Sequence, residues 1–328
     1  MVFVTGAESS VGSYILLYLL QRGIKVRALK KKNTCLENFL SFLNYKNPYD
    51  ADKFLEKVEW VEGDIIDIPS LQESINGVRE VYHAEEIIAF SKKDIELLEK
   101  INIEGTSNIV NICLNNGVKK FCYISSTSTL GRPNNEGFIT EDSFFEEDEH
   151  SYYGKSKFFS EMEVWRGRSE GLNVVIVNPS IILDPFFFGQ GIIEMFSTKK
   201  YLRLKVMNSF VSAMDVAKCC IQLMEENHFD ERYILNSENI SFKDFFSYSK
   251  KRMKKFKIEY PDINFLPTLS RSRKDLSLLE RMNKFSPRGI YSNEKIKKTL
   301  RVKFLPIKKI LDEYLDFLKK IRDSHIPM

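Results

Sequence analysis

Tyr153 and Lys157 stand four residues apart in the run Tyr153-Gly154-Lys155-Ser156-Lys157. In a helix that spacing brings both side chains out on one face. An ammonium held beside a phenol favours the phenolate and lowers the tyrosine pKa from its reference near ~10 toward working pH, which makes the hydroxyl a usable general acid or base. Taken alone, the pair also describes many solvated helix faces. A second group of reactive hydroxyls lies in Tyr123-Ile124-Ser125-Ser126-Thr127-Ser128-Thr129-Leu130-Gly131, where an apolar strand ends in Ser and Thr. Ligands of open α/β sheets bind outside the carboxyl ends of strands, so these hydroxyls can face a substrate; the alternative is a loop that satisfies its own backbone. In a third stretch, Val4 to Ser13, an apolar strand runs into Thr5-Gly6-Ala7 and Gly12 opens a helix. Such a turn lays an anion against a helix N-terminus, where unpaired N–H groups and the dipole favour negative charge. Ser9 adds a Cβ where turns of this kind have a second glycine, and if it needed a positive φ the strain would be about 1–3 kcal/mol.

The elements that must position these residues follow from periodicity. Short β-branched runs at Val2–Thr5, Lys25–Leu29, Val58–Glu62, Glu80–His83, Lys120–Ser125 and Asn173–Val177 alternate with helical periods at Val11–Arg22, Leu36–Leu43, Ser70–Ile75, Lys93–Asn115 and Ser151–Arg168. That alternation predicts an α/β fold with a doubly wound parallel sheet. After Asn178-Pro179 the pattern turns irregular, with a Pro/Phe-rich loop at Asp184-Pro185-Phe186-Phe187-Phe188-Gly189 that could line an apolar pocket or pack in a core. A smaller mixed α/β substrate lobe is expected there. Phe210 to Glu226 reads as a further strand and helix returning to the sheet. The expected division is therefore interleaved: residues 1–178 plus about 205–226 for dinucleotide binding, about 179–204 plus 227–328 for substrate.

The 328 residues, 43% hydrophobic and 29% charged, can bury a large core. With Lys+Arg 49 against Asp+Glu 45, the net charge of +4 gives no drive toward nucleic acid or membrane. The basic run Lys250 to Lys257 reads as the exposed face and end of a helix. Cys35, Cys113, Cys122, Cys219 and Cys220 have no metal-ligand spacing, and the four histidines are scattered, so no metal is expected. No charged-then-apolar leader precedes Val2 and no apolar run approaches ~18 residues, so a cytoplasmic protein is expected.

Taken together, the glycine turn after the first strand, Ser126 at the end of the fifth and a Tyr-x-x-x-Lys beginning 27 positions after Ser126 resemble the extended short-chain dehydrogenase/reductase superfamily. Within it the chain looks most like the dihydroflavonol-reductase-like, or NAD-dependent epimerase/dehydratase, proteins. Further matches are Val61-Glu62-Gly63-Asp64-Ile65-Ile66-Asp67, Asn102-Ile103-Glu104-Gly105-Thr106, Asn178-Pro179-Ser180-Ile181-Ile182 and Phe210-Val211-Ser212-Ala213-Met214-Asp215-Val216. The resemblance implies that Tyr153 exchanges a proton with the substrate oxygen, Lys157 holds the nicotinamide ribose, and Ser126, or Thr127 one residue on, hydrogen-bonds the reacting oxygen. It further implies that Gly6, Ser9, Ser10, Val11, Gly12 and Ala84 surround the pyrophosphate, Asp64 and Ile65 meet the adenine, and Pro179 to Ile181 line the nicotinamide.

An acid at the end of the second strand would read a ribose 2′-hydroxyl and a base would take a 2′-phosphate. Val26-Arg27-Ala28-Leu29-Lys30-Lys31-Lys32 has no acid, which favours NADP(H) over NAD(H) with Lys31 at the phosphate. The expected activity is an NAD(P)-dependent oxidoreductase acting on a carbonyl or secondary alcohol of a small molecule. A nucleotide-sugar epimerase or dehydratase with bound NAD is one alternative. A non-catalytic scaffold is the other, prompted by Ser9, by Glu85-Glu86 in place of the small residues that usually flank the cofactor, and by Asp184 in place of a glycine. By the same resemblance, a homodimer would form through the two long helices, 93–115 and 151–168.

Overall fold

The computed structural model describes residues 1–32, 34, 36–46, 51–147, 150–184, 207–256 and 289–324. The strands are β1 (Val2–Thr5), β2 (Val26–Lys30), β3 (Val58–Glu62), β4 (Glu80–His83), β5 (Lys120–Ile124), β6 (Phe138–Ile139), β7 (Asn173–Pro179), β8 (Ile181–Leu183), β9 (Met207–Ser212), β10 (Glu231–Leu235), β11 (Glu238–Ser241) and β12 (Ile290–Tyr291). Seven of them form one parallel sheet in the order β10-β7-β5-β4-β1-β2-β3. Period-2 alternation assigns their side chains to two cores. Val2 and Val4 point to the face that also buries Ile15, Leu16 and Val216, whereas Phe3 joins Ile109, Phe121 and Val174 on the other.

Helices cover both faces, as a parallel sheet requires. On the first face lie α1 (Ser10–Gln21) and, later in the chain, a helix at Ala213–Glu225. Also in the first half are α2 (Glu37–Lys46), α3 (Ala51–Glu56) and α4 (Ile68–Ile75). The second face carries α5 (Ile95–Leu98), which passes through a π-helical turn (Glu99–Glu104) into α6 (Gly105–Asn115), and α7 (Tyr152–Ser169). The helix at Ala213–Glu225 is α8, followed by α9 (Phe242–Phe256), α10 (Glu294–Leu300) and α11 (Ile307–Ser324).

All six strands expected from periodicity are present within a residue or two. The strand expected to return to the large sheet near residue 210 does not: β9 is the middle strand of a separate three-stranded sheet, β11-β9-β8. Only its helix, α8, returns to cover the large sheet. The seventh strand is β10, from a segment assigned in advance to the smaller lobe. Its Ile234 and Leu235 are wholly buried, but Glu231 and Arg232 ahead of them hid the pattern. Phe245 and Phe246 of α9 and Ile310 and Tyr314 of α11 pack with Phe210 and Leu183 as the small sheet's core. Lys254 and Lys255 sit in the last turn of α9, where cations suit the dipole. The Phe186–Phe188 run lies outside the described residues, as does Cys35. The other four cysteines are buried free thiols.

Register sets up the site. Thr5 pairs with His83 and His83 with Tyr123, so the carboxyl ends of β1, β4 and β5 lie side by side. The residues that follow each end therefore meet: Gly6 after β1, Ala84-Glu85-Glu86 after β4, Ser125 to Thr129 after β5.

Candidate active site

Beyond β1 the chain turns at Gly6, whose φ of +61° is the left-handed conformation that glycine tolerates. A Cβ there would stand 2.5 Å from the carbonyl carbon of Ala84, and one at Gly12 would stand 2.0 Å from the Gly6 oxygen. Both glycines are thus demanded by backbone packing. Ser9 is not strained: its φ is −75°, it caps α1, and its Oγ accepts from Gly12 N at 3.1 Å. The strain considered for a positive φ at Ser9 is therefore not incurred. The Ser10 hydroxyl is buried without a hydrogen-bond partner, and Val11 is buried beside it.

α7 presents Tyr153 and Lys157 on its inner face. Its N-cap is Ser151, whose Oγ accepts from Gly154 N at 3.0 Å. Lys157 is buried to 1% exposure; its Nζ donates to Ile124 O at 2.8 Å and lies 4.4 Å from the centre of the Tyr123 ring. Its charge is met by Glu86, whose Oε2 is 2.9 Å from Nζ. The Tyr153 hydroxyl donates to that same carboxylate oxygen at 3.0 Å.

This arrangement reverses the expected effect on Tyr153. Burial first, and the Glu86 carboxylate second, push the phenol well above its ordinary range, against a hydrogen bond with Ser126 that pulls it down. Tyr153 is therefore held protonated, and the lysine that was expected to acidify it is engaged by Glu86. For Lys157, burial alone would lower the pKa, but Glu86 and Tyr123 together outweigh it and raise it.

Ser126 caps a short 3₁₀ turn, accepting from Ser128 N at 3.1 Å, and contacts Tyr153. Thr127, the alternative, is buried. Behind this turn lies a network around Glu161, which the sequence reading matched to the family in the run Glu161-Met162-Glu163-Val164-Trp165-Arg166 without giving it a role. Glu161, fully buried, accepts from Ser125 Oγ at 2.5 Å, Thr129 Oγ1 at 2.9 Å and Asn178 Nδ2 at 2.6 Å, with Arg232 Nη1 at 3.4 Å. Its signal was present: Tyr153, Lys157 and Glu161 recur every four residues along one helical stripe. Asn102, in the π-helical turn, bonds Ile87 N at 2.9 Å, Ile87 O at 3.1 Å and Ser156 Oγ at 3.0 Å, tying the loop after Glu86 to the helix that carries Tyr153. π-Turns of this kind concentrate at functional sites.

His83 is also internal. Thr106 Oγ1 gives its proton to Asn102 O, so it accepts from His83 Nε2 at 3.0 Å, leaving Nδ1 to accept from Thr5 Oγ1 at 2.6 Å.

Lys31, the expected phosphate contact, is 2.9 Å from Glu85 Oε1. Burial would lower its pKa, but Glu85, then Asp64 and Glu8, raise it. Asp64 Oδ1 caps Ile66 N at 3.2 Å, and Ile65 turns inward to the core. Pro179 ends β7; Ile181 packs on the small-sheet core, and it is Ile182 beside it that faces the cleft. In the loop before α7, Glu141 accepts from Ile234 N, Glu146 pairs with Arg132 and Glu147 with Lys155.

Between the β1 and β4 ends opens a cleft of about 430 Å³, walled by Gly6, Ser9, Ser10, Val11 and Ala84 together with Glu8, Glu85, Glu86, Ile88, Ile124, Ile182 and Asp184. The residues fit a dinucleotide at the turn, where the glycines allow close backbone approach and the Ser10 hydroxyl has hydrogen-bonding capacity to spare. Lys157 does not wall the cleft: it lies buried behind Glu86, which meets its charge. Among the described residues no cluster of metal-binding side chains occurs, and no helix is long and apolar enough to cross a membrane.

Residues 2–236 match the NAD dependent epimerase/dehydratase family. A dihydroflavonol 4-reductase of Gerbera hybrida is 24% identical over 296 residues, covering 84% of this chain and 79% of that protein. Among solved structures, UDP-glucose 4-epimerase of Thermotoga maritima, determined with UDP-glucose, superimposes with a TM-score of 0.73 at 18% identity over 98% of this chain and 99% of its own. The Bordetella bronchiseptica enzyme WbmH, in complex with NAD+, gives 0.70 at 18% identity over 99% of each chain.

Proposed function

Since the chain belongs to the NAD dependent epimerase/dehydratase family, we propose that it is an NAD(P)-dependent oxidoreductase interconverting a carbonyl and a secondary alcohol on a small, partly apolar molecule. The observation that carries this is the convergence of Tyr153, Ser126 and Lys157 where β5 ends, next to the glycine turn. The turn from Gly6 to Gly12 and the Ser10 hydroxyl would hold the pyrophosphate, Lys157 the nicotinamide ribose and Lys31 a 2′-phosphate, which favours NADP(H). Bound there, the nicotinamide supplies or takes up the hydride.

The chain handles the proton. A phenol held protonated has the proton that a developing alkoxide demands in carbonyl reduction, and displacing Glu86 from it would lower its pKa and make it the stronger acid. Ser126 steadies the oxygen that receives it, and Lys157 compensates the tyrosinate that is left. Glu161, through Ser125, Thr129 and Asn178, fixes the turn that carries Ser126. The acids Glu8, Glu85 and Glu86 in the cleft wall weigh against a sugar nucleotide, which would bring in a second pyrophosphate.

The test is NADPH consumption with a panel of aromatic and aliphatic ketones and aldehydes, by the unmodified protein and by Tyr153→Phe. Turnover should fall on the order of 10²–10⁴-fold in the variant. Reduction at an undiminished rate without the phenol overturns the assignment. A non-catalytic scaffold is the second reading, favoured by the carboxylates that engage both lysines; failure of any dinucleotide to bind would support it. The same proposal includes a homodimer through α5, α6 and α7, where Leu97, Phe159 and Met162 are exposed at 50%, 39% and 38%.

A further inference from the structure

Two consecutive carboxylates follow β4, and each engages one of the two lysines that would hold a dinucleotide. Glu86 Oε2 is 2.9 Å from Lys157 Nζ and 3.0 Å from the Tyr153 hydroxyl, while Glu85 Oε1 is 2.9 Å from Lys31 Nζ. Glu86 walls the cleft, and Lys157, at 1% side-chain exposure against 22% for Glu86, lies behind it. The backbone beneath the pair is held at both ends: Ala84 N donates to Thr5 O at 3.2 Å, and Ile87 is clamped by Asn102. The freedom that remains is in the two side chains.

A buried lysine cannot serve a carboxylate and a ribose diol at once. A diol is neutral, so replacing Glu86 with it leaves Lys157 less well compensated in a site of low dielectric. Glu85 acts at the other end of the cleft, and only on the cofactor that carries a 2′-phosphate. That phosphate must displace the Glu85 carboxylate from Lys31 and also meet Asp64 and Glu8, whose charges act on the same lysine.

We propose that Glu85 and Glu86 are built-in competitors for the dinucleotide: Glu86 lowers the affinity of NADPH and NADH alike, and Glu85 sets the discrimination between them. The proposal rests on the dinucleotide-binding function proposed above. It places the determinant of cofactor choice on the loop after β4 as well as on the lysine run after β2.

The experiment is calorimetric titration of NADPH and NADH into the full chain, unmodified and as Glu85→Gln, Glu86→Ala and Glu86→Gln, with thermal melts to confirm folding. Glu86→Ala should tighten both dinucleotides about tenfold, the change expected when a competing partly buried ion pair is removed. Glu86→Gln, which keeps an acceptor for Lys157 and so protects the fold, should move both in the same direction by a smaller factor. Glu85→Gln should tighten NADPH about tenfold and NADH less than about twofold. Dinucleotides that bind the variants no more tightly than the unmodified protein overturn the competitor role while leaving dinucleotide binding intact. Equal gains for both in Glu85→Gln overturn the discrimination. Absence of binding by every form overturns the function itself, and the competitor role with it.

Discussion

At the scale of single residues, the site is governed by charge in a buried place. His83 makes this measurable. Burial, with the Lys157 charge second, pushes its pKa down to about 3, so it is neutral in the folded protein. Unfolded, it titrates near ~6.5. Between those values the unfolded chain binds the extra proton, so this residue makes stability fall as pH drops from about 6.5 toward 3, by up to ~1.4 kcal/mol per pH unit. Comparing urea unfolding of the protein and His83→Asn at pH 7 and pH 5 isolates the effect: the variant should lose less stability on acidification, and equal losses would refute it. The juxtaposition of Tyr153 and Lys157 was legible from spacing because a four-residue interval puts both side chains on one helix face, whereas Ser126 was joined to them only by the family resemblance. The Tyr153 protonation state was not legible, because it depends on a carboxylate 67 positions earlier that reaches the site only through strand register.

At the scale of elements, the glycine turn was legible partly for a reason other than ligand binding. Gly6 and Gly12 are required by the approach of β1 to β4 and of the turn to α1. The strain at Ser9 was left conditional on a positive φ because a sequence does not print φ; in the structure Ser9 is an ordinary N-cap. α7 is held to β5 and β7 by Glu161, and this linkage has a cost that can be read. Glu161→Ala removes the buried carboxylate shared by Ser125, Thr129 and Asn178 and takes from Arg232 its ion pair, leaving it the bond to Glu141 O, and should destabilise by about 3 kcal/mol in urea unfolding. A loss below about 1 kcal/mol would show that the network is not what holds the turn. The failure to place β10 has a physical cause: it is an edge strand whose first residues, Glu231 and Arg232, are charged, the one exposed and the other half-buried, so only its last three look like core.

At the scale of the whole molecule, the parallel sheet was legible throughout its first six strands, because strands buried on both faces are written as β-branched runs. That a smaller mixed lobe follows was legible too, but not its make-up, since its core is assembled from β8, β9, α9 and α11, which lie far apart in sequence. The proposed pairing of chains belongs to this scale. Leu97, Phe159 and Met162 lie on α5 and α7 and are exposed in the single chain. Light scattering should give a dimer mass, and Phe159→Asp with Met162→Asp should give a folded monomer; a monomer before substitution would contradict the pairing. The central claim, that the turn and the lysines still serve a dinucleotide, is tested most directly by calorimetric titration of the unmodified protein with NADPH and, separately, NADH. The account predicts saturable binding of one dinucleotide per chain, with NADPH the tighter. A folded protein that releases no heat with either would contradict it.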